Sequence, residues 1–205
     1  MIDIDTSETD RVRLLSRTSR WKGFVHLETL IFEQRMPDGS MAKLDREVHD
    51  HGVAAAILLH DPQDDTVVLV RQFRPGAFAN GDPAFMLEIP AGIVDAGEIA
   101  ADAIVREAME ETGFEIEDVH YLFEMYSSPG TLTEKVSLFV ASVHGDRKTG
   151  QGGGLAGEGE DIEVVTLGLD EAYGMIRTGA ITDAKTIIAL QWAILNRDSL
   201  STGKA

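Results

Sequence analysis

The stretch at 92–114, GIVDAGEIAADAIVREAMEETGF, constrains this chain more than any other, because it joins a glycine turn to a helical run carrying carboxylates at fixed offsets. Ala101, Ile104, Val105, Ala108 and Met109 recur at three- and four-residue intervals, so they form one apolar stripe directed at a core. Glu107 and Glu111 lie one turn apart and stack on one side, with Glu110 beside them and the small Ala103 expected to leave that side open. Like charges at this spacing weaken a helix by roughly a few tenths of a kcal/mol per pair. A merely solvated face would intersperse lysines. A bound cation relieves the repulsion, and carboxylate oxygens are the ligands Mg2+ prefers. Gly113 then follows as a helix C-cap. For the helix taken alone, an ordinary amphipathic helix with a wet acidic face is the competing reading.

The whole stretch resembles the Nudix box. Gly92, Glu98, Arg106-Glu107, Ala108, Glu110-Glu111, Gly113 and Phe114 fill its places, and only Ala108 and Phe114 depart from the usual aliphatics while staying apolar. Other marks of that family run along the chain. Ser128-Pro129-Gly130, with Pro129 sixteen positions beyond Gly113, resembles the proline marker of Nudix enzymes acting on ADP-ribose, and Glu134 sits in the matching SPGxxxE place. Arg46 in REV and Arg74 in RQFR match positions that contact substrate in those enzymes, and Glu88-Ile89-Pro90-Ala91-Gly92 matches the strand entering the box, with Glu88 taken into the substrate-binding set. The segment GLAGEGEDIEVV at 154–165 looks like the catalytic loop of the ADP-ribose pyrophosphatases, and ALQW at 189–192 is similar as well. GDP-mannose pyrophosphatases of the same subgroup share REV, RQFR, SPG and a glycine-rich run before DIEV.

Composition limits the partners. The formal charge of −17 argues against a nucleic-acid surface, since phosphate contacts need clustered Lys and Arg. An acidic protein that binds an anionic diphosphate needs metal ions and a few placed arginines, so metal dependence is a physical expectation in its own right. Zero cysteines exclude disulfides, thiolate zinc sites and cysteine nucleophiles and suit a reducing compartment. No apolar run reaches the roughly 18 residues of a membrane span, and the polar start MIDIDTSETDR lacks signal-peptide features. A cytoplasmic protein without membrane contact is expected. The histidines show no metal spacing; His51, His60, His120 and His144 read as surface or turn residues. Phe73, Phe78 and Phe85 could stack a base, with core packing the default.

Residues 21–34 and 41–48 read as strands joined by a turn containing Pro37-Asp38-Gly39, a unit spanning 1–50 too small to close a core alone and therefore expected to pack on a partner subunit in a homodimer. Residues 51–205 form the main domain. Its strands are expected at 53–59, 66–72, 84–88, 119–126, 136–143 and 162–167, with DPQDD as a turn. Two helices close the chain, at 169–178 between Asp170 as cap and Gly179, and at 183–196. The mixture predicts an α/β fold, a Nudix α/β/α sandwich with a mixed sheet, plus the small N-terminal antiparallel β-sheet unit. The glycine run at 150–154 reads either as a surface loop or as the hinge of a lid, and the resemblance favours the lid.

The resemblance implies a Mg2+-dependent pyrophosphatase, with Mn2+ a possible substitute, acting on a nucleoside diphosphate sugar. ADP-ribose, cleaved to AMP and ribose 5-phosphate, leads; GDP-mannose, cleaved to GMP and mannose 1-phosphate, is the alternative, and a nucleotide-sensing module without turnover is the alternative of another class. In this reading the Ala91 carbonyl, Glu107, Glu111 and Glu160 hold metal, and Glu110 supplies or orders further ligands. Glu160 or Glu158 is the base, Arg106 orients the glutamates and Glu98 braces the loop. Arg46, Arg74, Glu88 and Glu134 serve the substrate.

Overall fold

Alternation along the strand Ala54–Asp61, AAAILLHD, explains the centre of the molecule: Ala55, Ile57 and Leu59 point to one apolar cluster and Ala56 and Leu58 to another. A strand buried on both faces needs a continuous apolar run, and this one has it. The computed structural model describes residues 11–50, 52–155, 157 and 159–201, leaving aside the side chains of Asp146 and Ser201. His51 and Glu158 therefore lie outside the described residues. Chain contacts divide the protein into two units, one of the residues up to Gly52 with Ser128–Glu134, the other of Val53–Ser127 with the residues from Lys135 onward.

The first unit is an antiparallel sheet of β1 (Val12–Lys22), β2 (His26–Arg35) and β3 (Met41–Asp50) in that order. The β2–β3 turn closes through Met36 N–H on Ser40 O at 2.8 Å, and Asp38 accepts from Ser40 N–H at 2.9 Å. The break falls earlier than the sequence suggested, at 23–25, and β1 was not anticipated. It carries VRLLSRTSRWK, exposed along its whole length and without the period of two that marks a half-buried strand. Two register shifts interrupt its pairing with β2. The Ser128–Glu134 segment attaches to β3, where His49 N–H donates to Thr131 O at 2.8 Å and Thr133 N–H to His49 O at 3.1 Å.

The second unit is an α/β/α sandwich. Its sheet runs β10 (Glu163–Gly168), β5 (Thr66–Phe73), β4 (Ala54–Asp61), β9 (Lys135–Ser142), β8 (His120–Tyr126), with β6 (Phe85–Glu88) on β5 and β7 (Ala91–Ile93) on β4. The β4–β9 pair is parallel and the other described pairs are antiparallel, so the sheet is mixed. Helix α2 (Ala100–Thr112) covers one face through Ile104 and Ala108; α3 (Leu169–Thr178) and α4 (Ala184–Leu195) cover the other through Leu169, Ala172, Ala189, Leu190 and Ala193. A short helix α1 (Pro75–Ala79) follows β5, with Pro at its start, where a missing N–H costs nothing.

The sheet is split, and the split positions the site. β4 and β5 pair only over Leu59–Asp61 and Thr66–Val68, then part. β6 follows β5, β7 follows β4, and residues 88–91 cross the gap between them. The sequence missed β7, which is three residues long. It also placed two helices at the C-terminal end where there are three, α5 (Arg197–Ser201) being the last. Asp170 does not cap α3. Gly168 holds that position, and Asp170, inside the first turn, pairs with Arg197 at 3.0 Å. His60 is no surface residue either: it is 1% exposed, with Nε2 3.0 Å from Asp65. No described helix is long and apolar enough to cross a membrane.

At the start of α4, Asp183 accepts from Thr186 N–H at 2.9 Å and Thr186 Oγ1–H at 2.6 Å, and Thr186 Oγ1 in turn accepts Ile89 N–H at 2.9 Å. Asp183→Ala is expected to cost about 1–2 kcal/mol, the worth of a helix N-cap. Urea unfolding checks it: the midpoint should fall while the slope stays the same.

Candidate active site

Helix α2 presents Glu107 and Glu111 to β7. Ala103, which the sequence reading left on an open side, is buried, and Glu107 and Glu111 continue its row inward. A Cβ at Gly92 would stand 2.0 Å from the Glu107 carboxyl carbon, so only glycine admits that glutamate here. Glu111 is 2% exposed, and its Oε2 accepts Ala91 N–H at 3.1 Å. Ala91, Glu107 and Glu111 therefore meet at the split of the sheet.

Arg106 binds three carboxylates. Its Nη1 donates to Glu107 at 2.8 Å and to Glu110 at 3.3 Å, while Nε and Nη2 reach the two oxygens of Glu98 at 3.3 and 3.2 Å. Glu98 also accepts Asp95 N–H at 3.2 Å, which fastens the turn before the helix. Hydrogen bonding to Glu98 above all, with Glu107, holds the guanidinium more basic than an ordinary arginine.

Burial pushes the Glu111 carboxyl up to about 8, overriding the Ala91 hydrogen bond, and the negative charges of Glu107 and Glu160 add to the rise. Glu107 is raised as well, by burial first and against the pull of Arg106. Glu88 provides the contrast. It is equally buried, at 2% exposed, but two cations hold it below the usual carboxylate range against the cost of burial. Arg74 grips it bidentately at 2.8 and 2.7 Å, and Lys185 donates to it at 2.6 Å. Both oxygens of Glu88 are thus engaged inside the protein. Lys185, which the sequence reading passed over, bridges on to Asp183 at 3.0 Å. A lysine two residues past a capping aspartate, DAK at the start of a helix, is a visible signal, but nothing in it names Glu88 as the target.

The glycine run is docked. Thr149 and Gly150 N–H both donate to Gly113 O at 3.0 Å, Gly153 N–H to Glu111 O at 2.9 Å, and Gly154 N–H to Glu110 O at 3.1 Å. These are carbonyls that the end of α2 leaves without helical partners. Gly152, at φ +68°, lies so close that a Cβ would stand 2.6 Å from Glu111 O. The run is a backbone cap on α2 and not the mobile surface loop that its composition alone suggested. Beyond it, Glu160 accepts Leu155 N–H at 2.9 Å.

Among the described residues no three His, Asp or Glu side chains converge as a finished metal site. The donors nonetheless fit a hard divalent cation: they are carboxyl oxygens within electrostatic reach of one another, both raised in pKa by burial first. Arg46 and Glu134 belong to the other unit; Arg46 is exposed, with Nη1 on Asp45 O at 2.6 Å, and Glu134 is half-buried. Phe73, Phe78 and Phe85 are all exposed and cluster at 6.2 and 6.1 Å between ring centres, which overturns core packing for them.

Known proteins share the family and the fold. The NUDIX domain family pattern matches residues 50–190. The GDP-mannose pyrophosphatase of Citrobacter koseri is 41% identical over 167 residues, covering 81% of this chain and 86% of that protein. The GDP-mannose pyrophosphatase of Escherichia coli O139:H28 is 38% identical over 185 residues, covering 90% and 95%. A solved structure described as an ADP compounds hydrolase shares the fold, with a TM-score of 0.70 at 19% identity over 95% of this chain and 97% of that one. Members of the matched family generally use a divalent metal. The chain belongs to the NUDIX family and is a hydrolase of phosphoanhydride bonds.

Proposed function

We propose that this hydrolase cleaves the diphosphate of a nucleoside diphosphate sugar and that GDP-mannose, giving GMP and mannose 1-phosphate, is its preferred substrate. The names of the two relatives support that choice over ADP-ribose, the leading expectation from sequence, which stands as the second reading on the strength of the SPG marker and Glu134. The observation that carries the reading is the under-neutralised pair of half-buried Glu107 and buried Glu111, the latter within electrostatic reach of Arg74 and Glu160. Glu107, Glu111 and the Ala91 carbonyl would hold Mg2+, or Mn2+ in its place, with Glu160 completing the set. When bound, the cation supplies Lewis-acid neutralisation of the diphosphate and lowers the pKa of water.

The protein's own groups do the rest. Arg106 holds Glu107 and Glu110 in fixed rotamers, and Glu110 orders the neighbouring ligands. Arg74 keeps Nη1 outside its bond with Glu88 and turns it to a phosphoryl oxygen, a use suited to a planar guanidinium. Glu160 takes the proton of the attacking water once it leaves Leu155 N–H, with Glu158 as the alternative base. The sequence resemblance alone assigns Arg46 and Glu134 to the substrate. Glu107→Gln, Glu111→Gln and Glu160→Gln each keep size and remove charge, so kcat should fall by about two orders of magnitude or more with folding intact. Phosphate release from GDP-mannose and ADP-ribose, coupled to a phosphatase specific for the products, reads both the loss and the substrate. Wild-type turnover in the Glu107 or Glu111 variant at limiting Mg2+ would sink the metal assignment.

A second expectation follows from the raised carboxyl of Glu111. In chelated protein the folded state keeps a proton that the unfolded chain has released between about 4.5 and about 8. Stability is therefore full below the lower value and lost as pH rises through the upper one. Calorimetric Tm of chelated protein should fall across that window, and Glu111→Gln should flatten the fall. A Tm that instead rises across the window in chelated wild type contradicts the assignment.

We also infer that the N-terminal sheet packs on a second copy of the chain. Of its described apolar residues only Leu30 is buried, while Val12, Leu14, Leu15 and Trp21 are exposed, and three strands without a core do not stand alone in water. Deletion of residues 1–48 should give an unstable or inactive product. Sedimentation of an active, well-folded monomer after that deletion refutes the dimer.

A further inference from the structure

The side chain of Gln72 is 8% exposed, and its Nε2 finds no hydrogen-bond acceptor among the described residues. Alternation along β5 sets its direction. Val67 and Leu69 pack with α3 and α4, whereas Val68 packs with α2, so Gln72 shares the α2 side with Val68 and Val70. Arg71 and Phe73, on the opposite side, are exposed.

The neighbours of this amide belong to the hydrolytic site. Across the ladder Gln72 pairs with Met86 and Val70 with Glu88, and Arg74 N–H continues the pairing onto Ala84 O at 2.8 Å. Arg74 and Glu88 thus lie on either side of the Gln72–Met86 pair, and their bidentate bridge spans it. On the other edge β10 begins with Glu163 opposite Arg71, so the chain arriving from Glu160 enters the sheet beside Gln72. Both oxygens of Glu88, which pairs two residues away on the ladder, are engaged with Arg74 and Lys185.

A buried donor left without a partner costs about 1–3 kcal/mol, and an apolar side chain of the same length would avoid that cost. An acceptor brought by a bound ligand would satisfy this donor, since none of the described residues does. Such an acceptor must also tolerate a guanidinium beside it, which describes an anionic oxygen.

We propose that Gln72 is a substrate-binding residue whose carboxamide N–H donates to a phosphoryl oxygen of the nucleoside diphosphate beside Arg74. This rests on the reading of the site as one for nucleoside diphosphate sugars. Gln72→Met and Gln72→Leu remove the donor and keep the volume. KM for GDP-mannose should rise roughly tenfold, the worth of one hydrogen bond, with kcat changed far less. The Tm of the ligand-free variants should hold or increase, because an unpaired buried donor has gone. Gln72→Glu, which places an acceptor against the phosphate, should raise KM further. Calorimetric titration with GDP and Mg2+ should show the same weakening without turnover. An unchanged KM and GDP affinity with a lowered Tm overturns the proposal and makes Gln72 a packing residue. Failure of the wild type itself to cleave any nucleoside diphosphate sugar overturns the function reading and this inference together, whereas an active wild type with unaffected variants overturns this inference alone.

Discussion

The parting of β4 from β5 is the constraint on which the rest of the second unit depends. Two antiparallel strands that separate leave backbone groups without ladder partners, and a buried orphan group of this kind is costly. Residues 88–91 fill the gap, yet a crossing segment cannot pair fully with either strand. Side chains from both helical layers complete it. Thr186 of α4 accepts Ile89 N–H, Glu111 of α2 accepts Ala91 N–H, and Pro90 O receives Ile57 N–H at 3.0 Å. The same bonds that repair the sheet bring a helix of glutamates and a helix N-terminus to one point.

Glu88 opens that segment and Glu111 accepts Ala91 N–H at its end; the two are equally buried, and their pKa values move in opposite directions. Burial penalises both charges alike, so the difference lies in the cations. Arg74 and Lys185 neutralise Glu88 and make it part of the frame, at the cost in desolvation that buried pairs carry. Glu111 receives one backbone N–H and lies near two other carboxylates. A carboxylate left short of positive charge at a fixed point is a poor structural element and a good cation ligand. On the proposed reading the chain separates a structural acid from a working one by what is placed beside each, since the two are equally buried.

That distinction explains how far the sequence could be read. Spacing placed α2, its glycine end and the paired glutamates, because helix geometry is local and needs only the residues themselves. Runs of Val, Leu and Ala placed most strands of the large sheet to within a residue or two. Ala103 was misjudged because a small residue looks the same whether it faces water or β7. His60, buried against Asp65, and the exposed Phe73, Phe78 and Phe85 were misjudged for the same reason, since composition does not reveal what covers a side chain. β1 escaped notice because an exposed edge strand has no period to betray it. Lys185 lies ninety-seven residues from Glu88, and no local pattern links them.

The glycine run carries the largest change of interpretation. Three consecutive glycines suggest a tether, but here their positive φ values let backbone N–H groups face the carbonyl end of α2 at contact distance. The carbonyls so engaged belong to Glu110 and Glu111, so the segment leading to Glu160 is registered on the residues whose carboxylates form the site. A side chain at Gly152 would part the two backbones. Flexibility in such a run would have placed Glu160 at variable distance from the site, whereas docking limits the search to what lies past Gly154. In the described arrangement Glu160 spends its charge on Leu155 N–H, a hydrogen bond within its own loop. On the proposed reading, Glu160 would exchange that one backbone N–H for a cation held between Glu107 and Glu111, a local step that leaves the helix, its cap and the split sheet where they are.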